Sequence, residues 1–332
     1  MIPVLTPNFT QENIENIQKS LATVFATGWL ASGPKVKEFE EKWAEYTGAK
    51  YAVATNSCTA ALDIAVRIVS LPETVKVSPF TFASSALAAL NAGHKVEFVD
   101  IDPESYTTPE SDIQVMYAGN IKGTGKIYDM AHCGGYKHLG EVSCWSFHAV
   151  KNLPMGDGGM LTMNDPELYR KAKAISWCGI DKSTFDRSKK QYNWDYNIEE
   201  VGLKAHMNDV NAVIGLEKLK DLDKENAFRK QIAEAYDREL PDFIKRPYRS
   251  STWHLYAVEV DQRDELLDYL SAHGITCGVH YKPLYKYQIF PQRVLPVTEK
   301  VFSRILSLPI HCKMSLSDVT YISDLIRKFY AK

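Results

Sequence analysis

The sequence predicts an α/β fold with a mostly parallel sheet, and three observations carry that expectation. Apolar runs of strand length alternate with segments of helical period. The strand-like runs end in polar or small residues, which is where sheets of this class keep their sites. The chain's 332 residues, 45% hydrophobic and 24% charged, suffice for one large core or two joined ones.

Taken in order, FEEKWAEY (39–46) sets Phe39, Trp43 and Tyr46 at helical spacing, and AALDIAVRIV (60–69) does the same with Leu62, Ala65, Val66 and Val69. Between them KYAVAT reads as a strand that ends at Asn56. VKVSPF, KVEFVDID, KIYDMA and SCWSFHA each read as a short buried strand. From 206 to 236 the pattern is amphipathic and helical, through VNAVIGLEKLKDL. HLYAVEV, DELLDYLSAHG and ITCGVHY then suggest a strand, helix, strand unit with its own layer. A large domain is therefore expected over 1–225 and a smaller one over 226–332, with the first ~20 residues free to pack on the small domain. DKSTFDRSKKQYN (181–193) is polar enough for a surface loop.

A formal charge of −2 and a pI near 6.5 give no electrostatic reason to expect nucleic acid or an anionic membrane as partner. No apolar run reaches the ~18 residues of a membrane span, and MIPVLTPNFT lacks the basic start and apolar centre of a signal peptide, so a cytoplasmic location is expected. The six cysteines are scattered, with no C-x-x-C pair, and read as free, mostly buried thiols.

Chemistry concentrates at a few positions. TNSCTAAL (55–62) takes a strand straight into a helix, so Thr59 and first-turn N–H groups such as that of Ala60 can hold a phosphate, although an ordinary helix cap has the same pattern. Asp129 closes the strand KIY where a carboxylate faces a crevice and can hold a protonated ring nitrogen; His132 follows in DMAH. A cap beside a surface histidine fits those two residues equally well, and no further ligand stands at a usual spacing for a metal. Lys151 follows a buried strand, where desolvation lowers its pKa and readies the amine for a Schiff base; a solvated loop lysine is the plainer reading. GDGG after it supplies turns at the same site or a simple hairpin. In chain order, a phosphate cup, an aromatic at Phe82, an acid, a hydroxyl at Ser146 and an amine together make the set that pyridoxal phosphate requires.

The segments GWLASGPKVKEFEEKWAEYTGAKYAVATNSCTAAL, SPFTFASSALAALNAGHKVEFVDID, DMAHCGG, SFHAVKNLPMGDGGM, HYKPLY and SLPIH resemble successive motifs of the DegT/DnrJ/EryC1/StrS family of pyridoxal-phosphate-dependent nucleotide-sugar aminotransferases. The resemblance runs from about residue 25 to the C-terminus. It implies a fold type I transferase, with a large mixed, mainly parallel sheet domain, a smaller C-terminal α+β domain, and a homodimer whose active sites lie at the interface. It further implies that Lys151 binds pyridoxal 5′-phosphate as a Schiff base and moves the proton, that Asp129 pairs with the pyridine nitrogen, and that Phe82 stacks on the ring. His132 then sits near the ring hydroxyl, Thr59, Ala60 and Ser146 hold the phosphate, and His280, Tyr281 and His311 fall on the substrate side. The implied reaction moves an amino group, from L-glutamate, to a keto group of a nucleotide-linked deoxysugar.

Three departures from the family pattern stand out. Cys58 replaces a glycine of the phosphate loop, which is tolerable if its φ is negative. GLKAHMND (202–209) puts Lys204 and His206 where asparagine and arginine are usual, in a segment that reaches the neighbouring subunit's cofactor. IYD replaces a commoner acidic pair before the aspartate. Two alternatives share the cofactor: a sugar dehydratase, which resembles this family with histidine in place of the lysine, and a non-catalytic cofactor-binding regulator. Lys151 opposes the first; Lys151 with Asp129, and the want of a basic arm, opposes the second.

Overall fold

The computed structural model describes residues 1–180, 195–248 and 250–331. The polar stretch expected as a loop over 181–193 lies outside them. A seven-stranded sheet is built from β1 (Tyr51–Thr55), β2 (Thr74–Val77), β3 (Lys95–Phe98), β4 (Ile113–Val115), β5 (Ile127–Asp129), β6 (Val142–Ser146) and β7 (Gly159–Met163). Its order is β1-β7-β6-β5-β4-β2-β3. Only β7 runs against its neighbours, pairing antiparallel with β1 and β6, while β6, β5, β4, β2 and β3 are parallel.

Both faces are covered, as a mainly parallel sheet requires. Along β1 the side chains alternate: Val53 joins a core beneath helix α3 (Cys58–Ile68), and Ala52 and Ala54 join one beneath helix α2 (Pro34–Thr47). Leu62, Ala65, Val66 and Val69 of the apolar face read from the sequence are all buried. On the other side Phe39 and Trp43 are fully buried and meet Phe147 edge to face at 5.2 and 4.8 Å. Helix α2 has no side-chain cap of its own. Asp209 caps it from a distant part of the chain, accepting the N–H groups of Gly33, Lys35 and Val36 at 2.8–3.1 Å.

The helical stretch expected over 206–236 is two helices, Asp209–Leu219 and Leu222–Glu239, interrupted at Lys220 and Asp221. After them β8 (Tyr256–Glu259) pairs antiparallel with β9 (Ile305–Leu308), flanked by helices Arg263–Ala272 and Leu316–Tyr330. The expected strand at ITCGVHY is not one. Its backbone makes only isolated bridges, Ile275 to Ile2 and Gly278 to Ser307, so β9 is the partner of β8. The chain start is tied to this layer, with Val4 O accepting from Ile310 N and Pro3 O accepting from His311 Nε2. Among the described residues no helix is long and apolar enough to cross a membrane.

Candidate active site

Sheet topology brings the chemistry to one edge. In register, Gly159 at the start of β7 lies between Thr55 at the end of β1 and Ser146 at the end of β6, and Asp129 ends β5 next to β6. A cavity of about 330 Å³ opens there, within the size range of small-molecule sites (~300–1,000 Å³). Thr59, Phe82, Asp129, His132, Ser146 and Lys151 line it, with Tyr281 entering from the C-terminal part of the chain.

Asp129 is buried. Its Oδ2 accepts from Ser85 Oγ at 2.7 Å and its Oδ1 from the Ala131 N–H at 3.0 Å, which fixes the carboxyl plane. Burial pushes this carboxyl up; those two donors and the nearby Lys151 charge oppose the rise. The half-buried Lys151 shows the reverse: desolvation lowers its amine to about 8 against the pull of the Asp129 carboxylate. Lys151 Nζ stands 3.4 Å from His254 Nε2.

His132 is pinned by its backbone surroundings. Its Nδ1 accepts the Ala118 N–H at 3.1 Å, so the proton sits on Nε2, which donates to Tyr281 Oη at 3.1 Å. Burial and then the Lys151 charge hold His132 well below the usual histidine range, so it is neutral. Its ring packs on that of His254, centroids 4.4 Å apart.

At the phosphate-like end Ser57 caps α3, accepting the Ala60 N–H at 3.2 Å, and Thr59 Oγ1 pairs with Ser84 Oγ at 2.7 Å. The Ala60 N–H, expected to be free for a phosphate, is therefore engaged by Ser57. Cys58 is buried inside the helix and is not among the residues of positive φ, so the cysteine in the loop meets no backbone strain. Gly159 presses on this turn: a Cβ there would lie 2.3 Å from the Ser57 carbonyl carbon and 2.5 Å from Cys58 N.

Several expected residues lie elsewhere. Lys204 is exposed, its ammonium 3.9 Å from the centre of the Trp177 ring, and His206 meets the same ring edge-on at 4.3 Å; neither lines this cavity. His311 is spent on Pro3 O and the Lys313 N–H. His280 Nδ1 pairs with Ser307 Oγ at 2.9 Å, and burial, helped by the Lys151 charge, lowers it to about 4. Conversely, Ser85, His254 and the Asn152 amide escaped the sequence reading. Asn152 Nδ2 donates to Asn226 Oδ1 at 2.7 Å and Thr252 O at 2.9 Å, anchoring the lysine's loop. The histidine of HLYAVEV was legible only as part of a strand.

A nucleophilic amine lowered by burial, a buried carboxyl that a cation would relieve, an exposed aromatic ring at Phe82 and a hydroxyl-rich helix start share one cavity, and this donor set fits pyridoxal phosphate. The model of the DegT/DnrJ/EryC1/StrS aminotransferase family matches residues 11–123 and 122–327. The chain is 31% identical to the spore coat polysaccharide biosynthesis protein SpsC of Bacillus subtilis, covering 98% of this chain and 96% of that protein. It is 32% identical to a UDP-4-amino-4,6-dideoxy-N-acetyl-beta-L-altrosamine transaminase of Campylobacter jejuni, over 96% and 94% of the two chains. Among solved structures it is similar to a DegT DnrJ EryC1 StrS aminotransferase from Brucella abortus, with TM-score 0.85, 29% identity and 97% of each chain covered. It is also similar to the putative sugar aminotransferase Spr1654 of Streptococcus pneumoniae in its PMP-form, with TM-score 0.88, 25% identity, and 99% and 98% covered. With a family model matched over nearly all its length, the chain belongs to the DegT/DnrJ/EryC1/StrS aminotransferase family and is a pyridoxal-phosphate-dependent aminotransferase.

Proposed function

We propose that the protein moves an amino group from an amino-acid donor, L-glutamate, to a keto group of a nucleotide-linked deoxysugar. It acts as a cytoplasmic homodimer with a large domain over 1–225 and a small one over 226–332. The observation that carries the reading is Lys151, an amine lowered to about 8 in the same cavity as the buried Asp129. The transaminase relative in Campylobacter jejuni supports the sugar-nucleotide substrate.

Pyridoxal 5′-phosphate, when bound, supplies the aldehyde that takes up the amino group and a ring that draws off the electron pair released at the neighbouring carbon. The chain's residues do the rest. Asp129 would pair with the ring nitrogen and favour its protonated form, Phe82 would pack against the ring, and Thr59, Ser146 and the start of α3 would hold the phosphate. The Lys151 amine would hold the cofactor and, when free, would carry a proton, which an amine near neutrality does well. Tyr281, which lines the cavity, would stand on the substrate side, and His132, neutral with its proton on Nε2, orients the Tyr281 hydroxyl.

The test is spectroscopic and then chemical. Protein supplied with pyridoxal phosphate should absorb near the edge of the visible, and L-glutamate should remove that band. A UDP-linked 4-keto-6-deoxysugar should then restore it and emerge aminated. A band that no amino donor alters would favour the regulator.

A further inference from the structure

His254 has no part in the scheme above, yet it is buried, 2% exposed, against the group on which the chemistry depends. Its Nε2 lies 3.4 Å from Lys151 Nζ, a long contact of the sort that tightens during a catalytic cycle. Its other nitrogen, Nδ1, is buried with no hydrogen-bond partner. A histidine kept for packing would not leave a polar atom in that condition, and such groups call for an explanation in function. The ring is held in place, packed at 4.4 Å and a 34° tilt against His132, which is itself fixed through Ala118 and Tyr281. Trp253 and Thr252, just before it, are tied by bonds from the Trp253 N–H to Ser251 Oγ and from Thr252 Oγ1 to His132 O.

We propose that His254 is a positioning residue that docks the Lys151 amine whenever that amine is not bonded to the cofactor, accepting an N–H from Nζ on its unprotonated Nε2. The inference rests on the reading of Lys151 as the amine that binds the cofactor. A released lysine side chain has four rotatable carbons and would otherwise wander from the reacting carbon. An acceptor at this point holds the amine in reach of the cavity for each proton transfer and for its return to the aldehyde. Neutrality suits the role, because a cationic imidazole could only repel the ammonium. Burial first, then the Lys151 charge, and with them Arg229 and the neighbouring imidazoles of His132 and His280, disfavour a proton on His254 and keep it well below the usual histidine range. The docked geometry also fixes the tautomer: with Nε2 accepting, the proton must sit on the unpartnered Nδ1.

The test uses full-length protein stripped of cofactor. Nitrogen-15 NMR of histidine-labelled protein, with His254 assigned by its loss in H254Q, should show Nε2 unprotonated and Nδ1 carrying the proton; the opposite tautomer would overturn the proposal. Mass-spectrometric labelling of Lys151 across pH then gives the amine's titration, on which Asp129, Cys58 and Cys133 also bear. In H254F the midpoint should fall by about one pH unit, because an acceptor for the charged form is lost, and H254Q should restore most of it. Superimposable midpoints in wild type, H254F and H254Q would count against docking. Wild-type protein that forms no reducible bond between Lys151 and pyridoxal phosphate would instead defeat the underlying reading of the lysine.

Discussion

Ser85 Oγ donates to Asp129 Oδ2 at 2.7 Å, inside the buried wall of the cavity. Burial pushes the Asp129 carboxyl up, and this bond is one of the contacts that keep it ionised. Replacing Ser85 by alanine removes a donor to the charged form. The acid limb of the pH–rate profile should therefore move to higher pH, and kcat/KM at neutral pH should fall roughly tenfold, the ordinary worth of a hydrogen bond to a charged group. A profile that stays in place would mean that Ala131 N–H alone orients the acid.

Lys151 gives a stability prediction of unusual sign. Its amine titrates at about 8 in the fold against 10.5 in the open chain. Between those values the unfolded chain binds more protons, so this contribution to stability is complete above about 10.5 and is lost as pH falls through about 8. At pH 7 the confined ammonium costs at most about 3 kcal/mol, trimmed by the solvent that reaches a half-buried side chain. Cofactor-free Lys151→Met protein should thus be more stable than wild type at pH 7 by roughly 1–3 kcal/mol, and the gain should vanish toward pH 10.5. Urea unfolding at the two pH values measures it; the same variant supplied with pyridoxal phosphate should not form the band that depends on the lysine.

The same residues show how far a sequence carries a site. KIYD ends in the last residue of β5, and SCWSFHA holds all of β6 but its first residue, Val142, because each strand is a mainly apolar run closed by a polar residue. Strand β4 is only three residues, IQV, too short for periodicity to mark. Strand β7 hides behind GDGG, where glycines suggest a turn; the turn is real at Gly156, with φ of 101°, but Gly159 already belongs to the sheet. Ser85 and His254 are invisible for another reason. Each acts through a partner 44 or 103 positions away, a separation that no local pattern encodes.

Gly159 is required for space rather than for backbone freedom, since its φ is not positive. In Gly159→Ala the new methyl would collide with the Ser57 carbonyl and Cys58 N, both backbone, and neither can swing aside. The first turn of α3 must retreat from the cavity. Overpacking of this kind costs about 1–3 kcal/mol. Retention of the cofactor should weaken more than the thermal midpoint suggests, because the displaced turn is the one proposed to hold the phosphate. Equilibrium titration with pyridoxal phosphate, compared with the melting temperature, separates the two effects.

Lys204 carries the test of the dimer. Its ammonium lies over Trp177, exposed, on the segment that bridges to the edge strand β1 through Thr55 and His206, and it does not line the cavity of its own chain. If that segment completes the neighbouring subunit's phosphate site, as the family resemblance implies, Lys204→Ala should weaken cofactor binding, and its defect should be repaired in trans. Chains carrying Lys151→Ala contribute an intact Lys204, and chains carrying Lys204→Ala contribute an intact Lys151. Unfolded together and refolded at a cofactor concentration too low to saturate Lys204→Ala, the two variants would form mixed dimers in which one of the two sites has both lysines. Activity should then appear in the mixture and in neither parent. A mixture as inactive as its parents, with mixed dimers shown to be present, would place Lys204 in the service of its own chain or of none.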